Sequence, residues 1–132
     1  MITIRGKEFS YDESEVVNFA EGLIGLPEMR RAVLISMDDF EPFCWLASIE
    51  SEKERFVVVD PYKIFAGYEP FASDDQADEN LQTFAIVKVS SEWEKTTVNL
   101  RAPLVINTAT QRGAQLILTE SSYQLAESLI QN

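Results

Sequence analysis

The side chains of this chain that could do chemistry are mainly carboxylates, because histidine is absent and cysteine occurs once. The usual general base, the usual proton shuttle and the commonest metal ligand are therefore missing. Ser-His-Asp, Cys-His and zinc sites cannot be assembled without them. Cys44 lies between Phe43 and Trp45 in a strand-like run, which is typical of a small buried residue rather than of a nucleophile or ligand.

The clustered carboxylates lie in segments that read as exposed loops. The clusters are Asp38-Asp39 with Glu41, Glu52 with Glu54, and Asp74-Asp75 with Asp78-Glu79. A glycosidase-like pair would instead have to be held in a cleft, with one carboxyl group of raised pKa. The clusters also lack the glycine and terminal glutamate of a calcium loop. We expect no catalytic residue, metal or cofactor, and a carboxylate-based hydrolase stays open as an alternative.

Acidic residues dominate the first two thirds of the chain. The whole sequence has 22 acidic and 11 basic residues, for a net charge of −11. Residues 1–80 hold 18 of the acidic and seven of the basic side chains, so they carry all of this imbalance. Such a surface repels phosphate backbones, and we expect no direct binding to nucleic acid. A basic protein partner suits it, although the charge could also serve solubility alone.

The length and hydropathy of the chain favour one cytoplasmic domain over residues 1–132. A chain of this length with 45% hydrophobic residues is sufficient for one core. No apolar run approaches the roughly 20 residues needed to span a bilayer. The first six residues lack the order of a signal peptide. We therefore expect no membrane association, and we expect a monomer.

The elements that must position these side chains are predicted to be short strands. Runs rich in β-branched and aromatic residues alternate with turn signals. The predicted strands lie near residues 2–9, 16–19, 32–36, 43–49, 55–60, 84–90, 97–100, 104–107 and 115–119. Alternation along residues 84–89 places Ala85, Val87 and Val89 on the core face. Residues 32–35 and 56–59 are apolar at every position, so we expect both faces of these strands to be covered.

The predicted fold class is all-β with a minor α content. So many strands in a short chain favour a curved antiparallel sheet that closes into a small barrel or a sandwich. One short helix is predicted over residues 73–81, where capping residues and early acids favour a helix start. A second is predicted after Glu120, where Leu125 and Leu129 would fall one turn apart.

The segment around Pro103 has the most characteristic sequence in the chain. Two strand-like runs flank this proline, which suits a bend or a sheet edge because it lacks a backbone donor. Asn99 and Asn107 offer side-chain amides to orphan backbone groups there. The segment resembles the late signature of the flagellar assembly factor family, FliW. Further similarities, which extend the resemblance from about residue 1 to about residue 125, lie at residues 19–27, 42–50, 56–61 and 115–118 and at Tyr68 and Tyr123.

The resemblance implies a small barrel-like β fold and a protein that catalyses nothing. Proteins of this family bind flagellin, through a helical region near its C-terminal end. They also bind CsrA, a small basic dimer that represses translation by binding messenger RNA. Unassembled flagellin would occupy the factor and leave CsrA free to repress flagellin messenger RNA, and secretion of flagellin would release the factor to relieve that repression.

Two groups of residues are predicted to bind these partners. The acidic group provides electrostatic complementarity to CsrA and consists of Asp38, Asp39, Glu41, Asp74 and Asp75. The apolar group provides anchors and consists of Ile24, Phe40 and Tyr68. A general acidic interaction domain that binds a different basic protein, for example by mimicking nucleic acid, remains an alternative.

Overall fold

The computed structural model describes residues 1–51, 53–70, 80–119 and 121–130. Eleven short strands and three 3-10 turns make up the regular structure of these residues. The turns are Glu13–Glu15, Pro61–Lys63 and Trp93–Lys95. The strands are β1 Ile2–Ile4, β2 Lys7–Phe9, β3 Val17–Phe19, β4 Arg31–Ser36, β5 Phe43–Ser48, β6 Arg55–Val59, β7 Leu81–Lys88, β8 Thr97–Val98, β9 Leu104–Asn107, β10 Arg112–Gln115 and β11 Glu127–Ser128.

Seven of these strands close into a barrel. Their order is β7-β6-β5-β4-β3-β10-β9, and β9 pairs again with β7 to complete the ring. The pairings are antiparallel except that between β3 and β10, which is parallel. Closure removes the edges that an open sheet of these strands would expose. The prediction of a small, mostly antiparallel β-barrel is therefore confirmed.

The barrel interior is filled by every second residue of its strands. Successive side chains of a strand point to opposite faces, so one face of each strand can supply the interior. The fully buried side chains there include Phe19, Leu46, Val58, Leu104 and Ile106. Partly buried Phe84 and Ile86 of β7 pack against the same cluster.

Two further apolar clusters cover parts of the outer face. The hairpin of β1 and β2 places Ile2 and Ile4 against Val33 and Ala47 of the barrel. A second cluster joins Val59, Ala85 and Val87 of the barrel to residues from the end of the chain, including Leu129. Both faces of β4 are thus covered, as the sequence predicted, whereas the outer face of β6 is buried at Val59 and only partly covered at Val57.

The bend at Pro103 has the hydrogen bonds expected of it. The Asn99 side-chain oxygen accepts hydrogen bonds from the backbone N–H groups of Arg101 and Ala102, at 3.1 and 3.0 Å. The Asn107 side-chain oxygen accepts two more just after β9. These oxygens satisfy backbone donors where the ladder is interrupted, which confirms their predicted use.

Several predicted elements differ from the structure. Residues 2–9 form a hairpin rather than one strand, because the chain reverses at residues 5 and 6. Residues 116–119 are not a strand, and β10 lies earlier. Val89 is 54% exposed rather than on the core face.

The structure does not support the predicted second helix, and it describes too few residues of the predicted first helix to test that prediction. The segment after Glu120 contains β11 and no helix within residues 121–130. Pairing of β11 with β8 takes the place of the helical turn that the spacing of Leu125 and Leu129 had favoured. The helix predicted over residues 73–81 falls almost entirely outside the described residues. Within the described ranges, no helix has both the length and the apolar character that crossing a bilayer requires.

Candidate functional site

The connection between β4 and β5, residues 37–42, forms an acidic loop. The Phe40 N–H donates to the Met37 carbonyl at 3.0 Å, and the Phe43 N–H donates to the Phe40 carbonyl at 2.8 Å. These two tight turns leave the Phe40 side chain 67% exposed. The three carboxylates around it are also exposed and belong to Asp38, Asp39 and Glu41. The structure thus places four of the predicted partner-binding residues together on one loop.

A groove of about 1020 Å³ lies beside the acidic loop, on the outer face of β5, β6 and β7. We call it the aromatic groove. Its floor contains Phe43 and Trp45 of β5 and the valines Val57 and Val87 beside them. Trp93 of the third 3-10 turn meets Phe43 edge to face, with ring centroids 6.1 Å apart. The outer face of these strands is therefore only partly covered and presents aromatic surface.

Opposite charges occur within this groove. Asp38 and Asp39 of the acidic loop line it next to Phe43. Its basic lining residues are Arg5, Lys7, Lys53 and Arg55. The Arg55 guanidinium lies over the Trp45 ring at 5.6 Å from the centroid, and such a contact is favourable. The site thus combines an apolar floor with charged groups of both signs.

Ile24 lies on a separate surface. It occupies a tight turn between Leu23 and Leu26, whose backbones exchange two hydrogen bonds, and it is 53% exposed. The Ile24 N–H donates to the Gln115 side-chain oxygen at 2.8 Å, and the Gln115 side-chain nitrogen donates to the Ala102 carbonyl at 3.1 Å. Gln115 thereby fastens the turn to the segment before β9. Ile24 does not line the aromatic groove.

The structure corrects the prediction that Tyr68 is a surface anchor. Its side chain is only 3% exposed, and its hydroxyl donates to the Leu100 carbonyl at 2.6 Å. Its ring also meets Tyr123 edge to face at 4.7 Å. Burial raises the pKa of Tyr68 above its ordinary value. The residue stabilises the outer cluster and does not offer a surface anchor.

The remaining predicted partner residues, Asp74 and Asp75, lie outside the described residues. In the part of the chain that the structure describes, no Asp or Glu side chain is buried, and no group of three potential metal ligands occurs. The buried acid that a carboxylate-based hydrolase needs is therefore not found among them. Cys44 packs against the barrel interior, and burial raises the pKa of its thiol, which agrees with its predicted role as a small core residue.

The groove was not predicted from the sequence. Phe43 and Trp45 lie on a predicted strand, and their spacing of two gives them a shared face. Whether that face is covered depends on where the β1–β2 hairpin and Trp93 pack, which single-strand periodicity does not specify. The contact of Arg55 with Trp45 depends on the register of β5 and β6 in the same way.

Comparisons of the sequence with known proteins all indicate the same family. Residues 1–129 match the family model described as FliW protein. The chain is 32% identical over 130 residues to the flagellar assembly factor FliW of Clostridium beijerinckii, with 93% of this chain and 92% of the relative covered. It is 33% identical over 130 residues to that of Thermosipho africanus, with 92% and 90% covered.

A solved structure agrees with these matches. The crystal structure of a flagellar assembly factor FliW has a TM-score of 0.89 to this fold at 27% identity, and it covers 100% of this chain and 97% of the other. Flagellar assembly factors of this kind are regulatory proteins and are not known as enzymes. The chain therefore belongs to the FliW family of flagellar assembly factors.

Proposed function

We propose that this protein binds the translational repressor CsrA, antagonises the binding of CsrA to flagellin messenger RNA, and binds flagellin as its second ligand. It would thereby regulate flagellin translation and flagellum assembly. The protein would act in the cytoplasm as a single monomeric domain. Membership of the FliW family supports this role.

The acidic loop is the observation that carries the CsrA part of the proposal. Three exposed carboxylates surround Phe40, the most exposed aromatic ring among the described residues. Carboxylates increase the rate at which a basic partner associates, and a central exposed aromatic ring is a common anchor of an interface. Once bound, they would repel RNA phosphates within about a Debye length, roughly 8 Å.

The flagellin part rests on apolar surface. An amphipathic helix needs an apolar groove, and the aromatic groove offers one beside the acidic loop. Ile24 provides a second exposed apolar side chain on a turn that Gln115 holds in place. We propose Phe40 and Ile24 as anchors for the two protein ligands, without assigning Ile24 to either.

Calorimetry with purified CsrA and with purified flagellin tests the proposal. We expect each protein to bind at low micromolar concentration or below. No heat of binding with either partner would refute the proposal. A pulldown from a motile bacterium that recovered a different basic protein instead would favour the alternative of a general acidic interaction domain.

Charge reversal tests the role of the acidic loop. The double variant Asp38→Lys with Asp39→Lys should slow association with CsrA by about tenfold at low ionic strength and flatten its salt dependence. The double variant Glu28→Lys with Glu94→Lys is the matched control. It changes the net charge equally at exposed positions outside the loop. Equal association rates for the two variants in stopped flow would remove the loop from the interface.

A further inference from the structure

We propose that the aromatic groove binds a short amphipathic protein segment in one fixed direction, with the carboxylates of that segment at the end of the groove where Arg55 lies. This inference rests on the proposed function only in requiring that the groove receive a protein ligand. It adds the chemistry and the orientation of that ligand.

The apolar part of the groove is incompletely covered by the residues that the structure describes. Trp93 is 49% exposed at its wall, and Val89 and Phe40 are also exposed at its rim. Exposed apolar surface gathered in a concave site with a polar rim is typical of a site for a partner. Phe43 and Trp45 on the floor would pack against one apolar face of the ligand.

The basic residues specify the charge of the ligand. Of the 11 basic residues in this strongly acidic chain, four line this one groove. They are Arg5, Lys7, Lys53 and Arg55. A protein segment that carries carboxylates complements these four basic residues. The basic surface of CsrA, which is proposed to meet the acidic loop, would instead be repelled by them. Carboxylates of Asp38 and Asp39 in the same groove disfavour a nucleic acid strand, which would bring phosphates to both ends.

The strand register gives the direction. Phe43 directly follows the acidic loop, and Arg55 pairs with Ala47, four residues further along β5. At about 3.3 Å per residue, these levels are about 13 Å apart, or roughly nine residues of an α-helix. A helix placed with its N-terminus at the acidic loop and its C-terminus near Arg55 also aligns its macrodipole with these charges. Carboxylates at the C-terminal end of the helix would then lie near the positive charge of Arg55.

The chain has its own reporter for this site. It contains two tryptophans, and both Trp45 and Trp93 line the groove. Tryptophan fluorescence of the full chain therefore reports occupancy of the groove and not of the Ile24 surface.

The experiment uses two synthetic helical peptides of 14 residues with the same leucine stripe and the same composition. One carries lysines in its N-terminal half and glutamates in its C-terminal half, and the other has these charges exchanged. We expect the first peptide to change the tryptophan fluorescence and to bind about tenfold more tightly at low salt. Equal affinities, no binding of either peptide, or tighter binding of a single-stranded RNA oligonucleotide would overturn the inference.

Variants of the protein locate the effect. Lys7→Glu with Lys53→Glu changes two exposed groove residues and should abolish the preference between the peptides. Arg30→Glu with Arg112→Glu changes the net charge equally at exposed positions outside the groove and should retain the preference. If CsrA and flagellin bind but the peptides are not distinguished, this inference fails alone. Failure of the proposed function is reported separately by calorimetry.

Discussion

The turn that presents Ile24 depends on two glycines in different ways. Gly22 and Gly25 both have positive φ angles, of +68° and +81°. A Cβ at Gly22 would lie 2.3 Å from the Pro27 carbonyl oxygen and 2.5 Å from the carbonyl carbon, whereas a Cβ at Gly25 would have no atom within 4 Å. Alanine at Gly25 therefore meets backbone strain alone, and alanine at Gly22 meets backbone strain and a collision with main-chain atoms.

The expected losses follow from this difference. A left-handed conformation costs an L-residue about 1–2 kcal/mol, which applies to both substitutions. Overpacking adds about 1–3 kcal/mol, and at Gly22 it cannot be relieved by rotating a side chain because the obstacle is backbone. We expect Gly25→Ala to lower the free energy of unfolding by about 1–2 kcal/mol and Gly22→Ala by about 2–5 kcal/mol. With a urea m-value of about 1–3 kcal/mol/M, this difference of about 1–3 kcal/mol should separate the two midpoints by about 0.3–3 M.

Equilibrium unfolding in urea, followed by tryptophan fluorescence and far-UV circular dichroism, measures both variants against the parent chain. If Gly25→Ala proved as destabilising as Gly22→Ala, then the close approach of Pro27 to Gly22 would not contribute to stability. The reasoning from the geometry of this turn would then be refuted.

Further predictions concern individual contacts of Tyr68, Gln115 and Gly113. Tyr68→Phe leaves the Leu100 carbonyl without the tyrosine donor, and urea unfolding should show a loss of about 1–3 kcal/mol. Because the pKa of Tyr68 is higher in the folded than in the unfolded chain, its proton contributes stability that is fully present below pH about 10 and is lost as the pH rises further. Unfolding of the parent chain should therefore become easier above pH about 10, and less so for Tyr68→Phe. Gln115→Leu removes the acceptor of the Ile24 N–H, so hydrogen exchange at that amide should accelerate; unchanged exchange would contradict the proposed fastening of the turn. Gly113→Ala places a Cβ 2.5 Å from the fully buried Phe19 ring and should cost about 1–3 kcal/mol, measured by thermal unfolding.

The strands of the barrel were largely predictable because most of them are rich in β-branched, aromatic or other apolar residues. Seven of the nine predicted strands overlap β3 to β9. β10 could not be predicted because Gly113 and Ala114 have low β propensity; glycine is needed at position 113, where a Cβ would lie 2.5 Å from the Phe19 ring. The apolar run after it has the composition of a strand and predicts one. In the structure, Leu116 and Leu118 donate single hydrogen bonds to the segment before β9 and remain outside the regular ladder.

The acidic part of the candidate site was predictable from the sequence, whereas its basic residues and its shape were not. The cluster of acids at residues 38–41 indicated an exposed loop, and the structure places them on one. The burial of Tyr68 could not be predicted because a tyrosine in a turn-like segment gives no indication of whether the C-terminal part of the chain packs over it. The aromatic groove could not be predicted because its walls come from the first hairpin, from Lys53 and from Trp93, which are far apart in sequence.

Closure of the barrel through the parallel pair has a consequence for synthesis on the ribosome. β3 pairs with β10, so that Asn18 faces Arg112 across most of the length of the chain. The nascent polypeptide can form the meander from β4 to β6 early, because those pairings are local, but it cannot complete the ring until β10 has emerged. The long interval between these partners is of the kind that slows folding. Until that moment one edge of β3 has no strand to pair with, and an incomplete chain with an unpaired strand edge is prone to misassociation.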